Sequence, residues 1–155
     1  RDRLLELLRP RLFAVGVAAE PEGHYAEDKR ADIKAIIEAI NLPIEIKRHF
    51  HTDLWTAPRD QLKKLYARDP GTAGRGIYLV FWFGIGAGSV PTRPTGGAEI
   101  QTPVQLEAAL LDTFQPSERE LLEIIVIDCA PGLAPARPAV RKLRKGKRKG
   151  ERGKR

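Results

Sequence analysis

The sequence predicts an α/β protein with a central mixed sheet flanked by helices, and three features indicate this class. Apolar residues recur at every second position over 33–37, and apolar and polar residues alternate over 44–47, which is the period of a strand with one buried face. Residues 76–83 form a short apolar run bounded by glycine, which is typical of a strand buried on both faces. Two segments, one over 57–68 and one beginning at Thr102, carry helix signals.

The first half of the chain is predicted to form one helix and then three strands. Four leucines between residues 4 and 8 favour a helix over 2–9, which Pro10 ends or kinks. The apolar run 15–19 suits a first strand, and residues 21–28 suit a turn-rich connection to the strand with Asp32. Residues 41–43 are predicted to be a tight link into the strand with Glu45. Strands in such close succession predict an antiparallel meander.

The second half is predicted to continue as helix, strand, helix, strand. Pro58 suits the first turn of the helix over 57–68, and Trp55 is expected to pack just before it. The run 76–83 is the expected central buried strand, and residues 84–102, rich in Gly, Pro, Ser and Thr, are an expected mobile loop. Thr102 begins a helix with capping-box chemistry, and Ser117 begins a shorter one before a final strand over 122–129.

The formal net charge of +7 is unevenly distributed along the chain. Residues 131–155 contain 11 Lys and Arg against one acidic residue, which leaves 16 basic and 19 acidic residues in 1–130. We therefore predict a folded domain over 1–130 and a disordered basic tail over 131–155. Such a tail attracts any polyanion and makes nucleic acid an expected partner.

Several classes of protein are disfavoured by composition. A single cysteine, Cys129, excludes an internal disulfide, and because it ends an apolar run we expect its thiol to be buried and inert. No apolar run approaches eighteen residues and no signal peptide is recognisable, so we expect a soluble, cytoplasmic protein without a membrane partner. The chain begins with Arg1, and we expect it to be a piece of a longer protein with other domains.

The strongest chemical signal is a set of charged residues on two neighbouring strands. Glu45 and Lys47 alternate with Ile44 and Ile46, so both must emerge on one face, and Asp32 joins them if the two strands pair. Two carboxylates so close repel each other unless a cation lies between them. Mg²⁺ or Mn²⁺ prefers such oxygen ligands and activates water, and a nearby lysine offsets charge on a phosphate.

Asp32 followed by Glu45-x-Lys47 resembles the signature of the PD-(D/E)xK nuclease superfamily. The order helix, three strands, helix, strand is also that of the restriction-endonuclease-like fold. The resemblance implies a restriction-endonuclease-like three-layer core and a magnesium-dependent deoxyribonuclease, a hydrolase that cleaves DNA. It implies that Asp32, Glu45 and the main-chain carbonyl of Ile46 hold the metal, that Lys47 positions water, and that the chain can act as a homodimer.

Four further residues are candidates for substrate binding. Lys34 shares the strand face of Asp32 and is placed either to approach phosphates or to pair with Glu45. His49, with His51, continues the alternation of Glu45 and Lys47, so these histidines either face DNA or are ordinary loop residues. Gln61 and Tyr66 resemble a Gln-to-Tyr motif of some exonuclease branches, although they are five residues apart rather than four.

Three functions stay open at the level of sequence. The first is the metal-dependent nuclease. The second is a catalytically inactive nuclease-like module that binds DNA or serves as a scaffold in a larger protein. The third is a small domain with a charged sheet face, in which Asp32, Glu45 and Lys47 form a solvated ion pair, joined to a tail that binds RNA.

Overall fold

The structure, a computed structural model, describes residues 2–25, 29–66 and 69–132. Its main elements follow the predicted order of helix, three strands, helix, strand, helix, strand. The strands are β1 (Val17–Tyr25), β2 (Lys29–Ile37), β3 (Ile40–Arg48), β4 (Gly76–Trp82) and β5 (Leu122–Asp128). The helices are α1 (Asp2–Phe13), a π-helix (Pro58–Tyr66), α2 (Pro103–Leu111) and α3 (Pro116–Arg119).

The five strands form one mixed sheet in the spatial order β1-β2-β3-β4-β5. β1, β2 and β3 pair antiparallel, which confirms the predicted meander. β4 runs parallel to β3, and β5 runs parallel to β4. Parallel neighbours need long crossovers, and here the π-helix and then α2 and α3 lie in those connections. The α/β class with a mixed sheet is therefore confirmed.

Helices cover both faces of the sheet. On one face, Leu5 of α1 packs with Ile33 and Ile44 of the meander and with Leu79 of β4. On the other face, Leu62 of the π-helix and the buried residues of α2 pack against the sheet; this core includes Leu106, Leu110, Tyr78, Val80, Leu122 and Ile124. β4 is paired on both sides and buried on both faces, as predicted for the central apolar run.

Three predicted boundaries in the first half are wrong. α1 continues through Pro10 to Phe13 because the extra turn brings Leu12 onto the apolar face of the sheet. β1 continues through Pro21 to Tyr25, which an outer strand tolerates because it is not required to donate hydrogen bonds on both sides. The turn between β2 and β3 is at residues 38–39, where Glu38 has φ 55°, and residues 41–43 belong to β3.

Two predictions in the second half are corrected and one is confirmed. Thr102 caps α2, and the reciprocal hydrogen bonds with Gln105 form a complete capping box, as predicted. α3 begins two residues earlier than predicted, with Gln115 as its N-cap and Glu118 as its partner, so Ser117 lies inside the helix. Cys129 is exposed rather than buried, because β5 ends at Asp128 and the thiol follows the last strand residue.

Two further predictions concern a membrane span and the basic tail. Over residues 2–25, 29–66 and 69–132, no helix combines the length and the apolar character needed to cross a bilayer. The predicted tail from residue 133 onwards lies outside the described residues, so its disorder stays a prediction.

At Gly76, β4 passes so closely beneath the π-helix that a larger residue should lower the stability of the fold. A Cβ at this position would lie 2.8 Å from Cγ of Leu62, which is itself fully buried. We expect Gly76→Ala to lower the free energy of unfolding by about 1–3 kcal/mol, because the core has no room for the methyl group.

Gly86 provides the matched control, since a Cβ there would meet no atom within 4 Å. Gly86→Ala should change the free energy of unfolding by less than about 0.5 kcal/mol. Urea unfolding followed by circular dichroism measures both variants. Equal stability of the two would contradict the close approach of β4 to the π-helix.

Candidate active site

The candidate site lies where β2 and β3 separate. Their pairing extends from Ile37 and Ile40 to Ile33 and Ile44, yet β2 reaches back to Lys29 and β3 continues to Arg48. Beyond this point β3 pairs with β4 instead. Ile33 packs on the α1 side of the sheet, whereas Ala31, two residues away, packs in the core on the opposite side. The course of β2 therefore changes at Asp32.

The Asp32 carboxylate joins the two strands at this point. Its Oδ2 accepts a hydrogen bond of 2.8 Å from the main-chain N–H of Ile46. A side-chain oxygen here accepts from a strand N–H, as a neighbouring carbonyl does in a regular ladder. Because a carboxylate can accept several hydrogen bonds, Asp32 can keep this contact and still offer an oxygen to another partner.

Glu45 and Lys47 emerge on the same face of β3, as the alternation predicted. The Lys47 ammonium donates a hydrogen bond to Oε1 of Glu45, and the two side chains are only 11% and 5% exposed. Burial raises the pKa of the Glu45 carboxyl above its ordinary value of 4.5; Lys47 lowers this pKa, and the charge of Asp32 raises it. The pair therefore carries a desolvation cost that a surface pair would avoid.

Tyr78 of β4 forms part of the buried surroundings of Glu45. It is the register partner of Glu45 in the parallel ladder, is fully buried, and donates a hydrogen bond of 2.9 Å to the carbonyl of Leu54. Burial raises the pKa of the Tyr78 hydroxyl, and the negative charges of Glu45 and Asp53 raise it further. Tyr78 thus remains a neutral hydrogen-bond donor at physiological pH.

An open cleft of about 380 Å³ gives access to this charged group. The described residues that line it are Asp32, Lys47, Arg48 and His51, which are polar, and Ile46, Phe81 and Phe83, which are apolar. Asp32 and Lys47 therefore reach the cleft, while Glu45 lies buried beside Lys47. Because Lys47 is paired with Glu45, Arg48 and His51 are the lining side chains that remain to balance the Asp32 carboxylate or a ligand.

The oxygen atoms suited to a divalent cation come from β2 and β3. Two carboxylates, Asp32 and Glu45, and the carbonyl of Ile46 are oxygen donors of the kind Mg²⁺ prefers, and the cleft leaves space for its waters. Within the described residues, no three His, Cys, Asp or Glu side chains cluster closely enough to enclose a metal. Asp32 therefore offers a carboxylate oxygen to the cleft, whereas the Glu45 carboxylate is buried and bonded to Lys47.

His49 does not face the cleft, which corrects its prediction as a substrate-binding residue. β3 ends at Arg48, so the alternation of faces stops before this histidine. His49 is fully buried; its Nδ1 accepts from the N–H of Phe83 at 3.1 Å, and its Nε2 donates to the carbonyl of Gly88 at 2.9 Å. His51 is the histidine that lines the cleft, and its Nδ1 accepts from the N–H of Asp53.

Of the other predicted substrate-binding residues, Lys34 and Gln61 are not among the described residues that line the cleft. Lys34 forms a cross-strand ion pair of 3.1 Å with Glu20 of β1, and not with Glu45. Gln61 lies in the π-helix, where its buried Oε1 has no hydrogen-bond partner among the described residues. Tyr66 is the last residue of that helix, and its side chain lies outside the described part.

The sequence predicted the packing of Trp55 but gave no indication of a role for Arg48. Arg48 gave no signal, because it follows the predicted motif and its role depends on the end of β3; its guanidinium lies 5.0 Å from the ring centroid of Phe50. Trp55 packs as predicted before the π-helix, with its indole N–H donating to the carbonyl of Pro91 at 2.8 Å.

Comparisons of the chain with protein-family models, with curated proteins and with solved structures find no match.

The two histidines should differ in their contribution to stability. His49→Ala removes a buried ring and leaves the Phe83 N–H and the Gly88 carbonyl without their partners, so we expect a loss of at least about 2 kcal/mol in the free energy of unfolding. His51→Ala removes a half-exposed ring, and we expect a loss below about 1 kcal/mol. Thermal and urea unfolding compare the variants, and a reversed order would contradict the assignment.

Glu45 should make stability depend on pH. Its raised pKa means that the folded state binds the proton more tightly than the unfolded state, so its contribution to stability falls as pH rises from 4.5 towards the folded pKa. Glu45→Gln cannot titrate. The free energy of unfolding of this variant, relative to the native protein, should therefore rise with pH over this interval in urea titrations. A constant difference would contradict the burial of an ionised Glu45.

Proposed function

We propose that this protein is a metal-dependent phosphodiesterase that cleaves DNA. The observation that carries the proposal is the convergence of Asp32, Glu45 and Lys47 at the point where β2 and β3 separate beside an open cleft. The resemblance to the PD-(D/E)xK superfamily implies the same three residues as the site. The order helix, three strands, helix and strand, on which that resemblance also rests, is present among the main elements.

Asp32, Glu45 and the carbonyl of Ile46 are the groups that would hold Mg²⁺, with Mn²⁺ as an alternative. The ion supplies positive charge to a phosphate oxygen and acidifies water. The Asp32–Ile46 hydrogen bond fixes the first carboxylate against β3, so this ligand is oriented before any cation arrives. The attraction between a cation and two carboxylates also offsets their mutual repulsion.

Lys47 is the residue that acts on the reacting groups. Its ammonium donates to Glu45, and from the wall of the cleft it can donate equally to an attacking water or to a phosphate oxygen. Hydrolysis adds the oxygen of water to phosphorus, breaks one P–O ester bond and passes a proton from the water to the departing alkoxide, and the Lys47 ammonium would stabilise the extra negative charge that develops on the phosphate. Arg48 and His51 line the same cleft and bind the neighbouring phosphates of the strand.

Cleavage assays with matched variants test this function. Supercoiled plasmid and labelled linear duplex are incubated with Mg²⁺ or Mn²⁺, and we expect Lys47→Ala and Asp32→Asn to lose at least about a hundredfold in rate. Asn at position 32 can still accept from Ile46, so the fold should survive. The ratio of plasmid to linear cutting separates internal from end-directed attack.

Lys34→Ala is the control, because this lysine belongs to β2 but pairs with Glu20 away from the cleft. It should retain most of the activity. Loss of folding in both site variants, or full activity in either, would remove the site as described.

A second function, an inactive nuclease-like module that binds DNA, is favoured by the Lys47–Glu45 ion pair, which already supplies the buried carboxylate with a cation. Calorimetric titration with Mg²⁺ distinguishes the two functions. A nuclease should give binding heat that disappears in Glu45→Gln, whereas an inactive module should give no heat that depends on Asp32 or Glu45.

A further inference from the structure

The chain leaves the sheet beside the cleft. β3, β4 and β5 run parallel, so their carboxyl ends lie at one edge, and Phe81 and Phe83 extend the cleft lining to the end of β4. β5 ends at Asp128, the register partner of Trp82. The N–H of Cys129 donates a hydrogen bond of 2.7 Å to the Trp82 carbonyl. The chain is therefore still attached to β4 one residue after β5 ends.

Ala130 fixes the point at which the chain departs. Its N–H donates a hydrogen bond of 2.9 Å to Oδ1 of Asp128, and its side chain packs against the core that contains Trp82. A Cβ placed on Gly84 would lie 3.4 Å from the Cβ of Ala130. Gly84 directly follows Phe83, which lines the cleft. The rest of the chain therefore begins beside the wall of the cleft.

Most of the unbalanced positive charge of the protein follows this point in the sequence. Residues 133–155 contain 11 Lys and Arg and one acidic residue, Glu151. The first of these cations, Arg137, is seven residues after Ala130, a distance of at most about 25 Å in a fully extended chain. The basic segment thus starts within reach of the cleft.

The cleft by itself should attract a polyanion only weakly. Lys47 is paired with the buried Glu45, so Arg48 and His51 are the described lining side chains that balance the Asp32 carboxylate or a ligand. The chain before the basic segment also has 16 basic and 19 acidic residues, and this excess of negative charge opposes the approach of phosphates. Strong affinity for a polyanion must therefore come from the basic segment.

We propose that the basic segment 137–155 and the cleft bind one DNA molecule together, and that the segment provides most of the affinity. The choice of DNA as the partner rests on the proposed function. Neutralisation of phosphates by Lys and Arg releases counterions and does not depend on the base sequence. Attachment beside the cleft gives the bound phosphates a high effective concentration there. The segment therefore lowers KM and leaves kcat unchanged.

Replacement of five cations by glutamine tests the contribution of the segment. The positions are Arg141, Lys142, Arg144, Lys145 and Lys147. Without metal and at about 0.1 M salt, this variant should bind a labelled duplex at least about tenfold more weakly, with a shallower dependence of affinity on salt. With metal, KM should rise by a similar factor while kcat stays within about twofold.

A matched control exchanges Arg for Lys and Lys for Arg at the same five positions. It keeps every charge and the length of the chain, so it should bind and cleave as the native protein does. Circular dichroism verifies that both variants are folded.

NMR titration tests whether the segment brings DNA to the cleft. The amide ¹H–¹⁵N signals of Arg48, His51 and Phe83 report the cleft, and that of Arg75 reports the opposite end of β4. Unlabelled duplex without metal should shift the three cleft signals of the native protein and leave Arg75 unchanged. The glutamine variant should need at least about tenfold more DNA for the same shifts.

Unchanged affinity and salt dependence in the glutamine variant, or tight DNA binding that leaves the cleft signals unshifted, would overturn the proposal. Tighter binding to phosphatidylserine vesicles than to the duplex would also overturn it. Cleavage of DNA together with any of these results would leave the nuclease intact. Segment-dependent binding that shifts the cleft signals, in a protein that does not cleave with Mg²⁺ or Mn²⁺, would leave this inference intact and remove only the nuclease.

Discussion

The hydrogen bond between the Asp32 carboxylate and the Ile46 N–H is the interaction on which the charged site depends. It holds β2 and β3 together at the point where their regular pairing ends, and it fixes the direction of the carboxylate. The separation of the strands beyond this bond lets β3 turn its remaining length to β4 and leaves the cleft open. One side chain thus contributes both to the geometry of the sheet and to the chemistry of the cleft.

Burial of the charged side chains lowers the stability of the folded state. Glu45 and Lys47 lie almost completely removed from water, and hydrophobic residues of the same volume would be at least as stable in their place. The neighbouring positions follow the usual rules: Tyr78, Val80 and Leu62 are buried apolar or hydrogen-bonded groups. A buried ion pair among such neighbours is a local departure from those rules, of the kind that is typical of a functional site.

The order of the elements, the buried β4 and the cap at Thr102 were predictable because each depends on residues close together in sequence. The end of β1 was not, since Pro21 is tolerated only in an outer strand and the sequence does not reveal which strand is outermost. His49 was misplaced because alternation was extended one residue past the end of β3.

The order in which contacts can form has a consequence for the Glu45 carboxylate. β2 and β3 are joined by a two-residue turn, so Asp32, Glu45 and Lys47 come together through local contacts with a small loss of chain entropy. β4 joins them only after a connection of 27 residues, from 49 to 75, has closed, and contacts between distant residues form more slowly. Tyr78, which is the register partner of Glu45, takes its place only when β4 pairs with β3. The hairpin can therefore assemble its charges while they are still hydrated, and the loss of that hydration falls on a late step of folding.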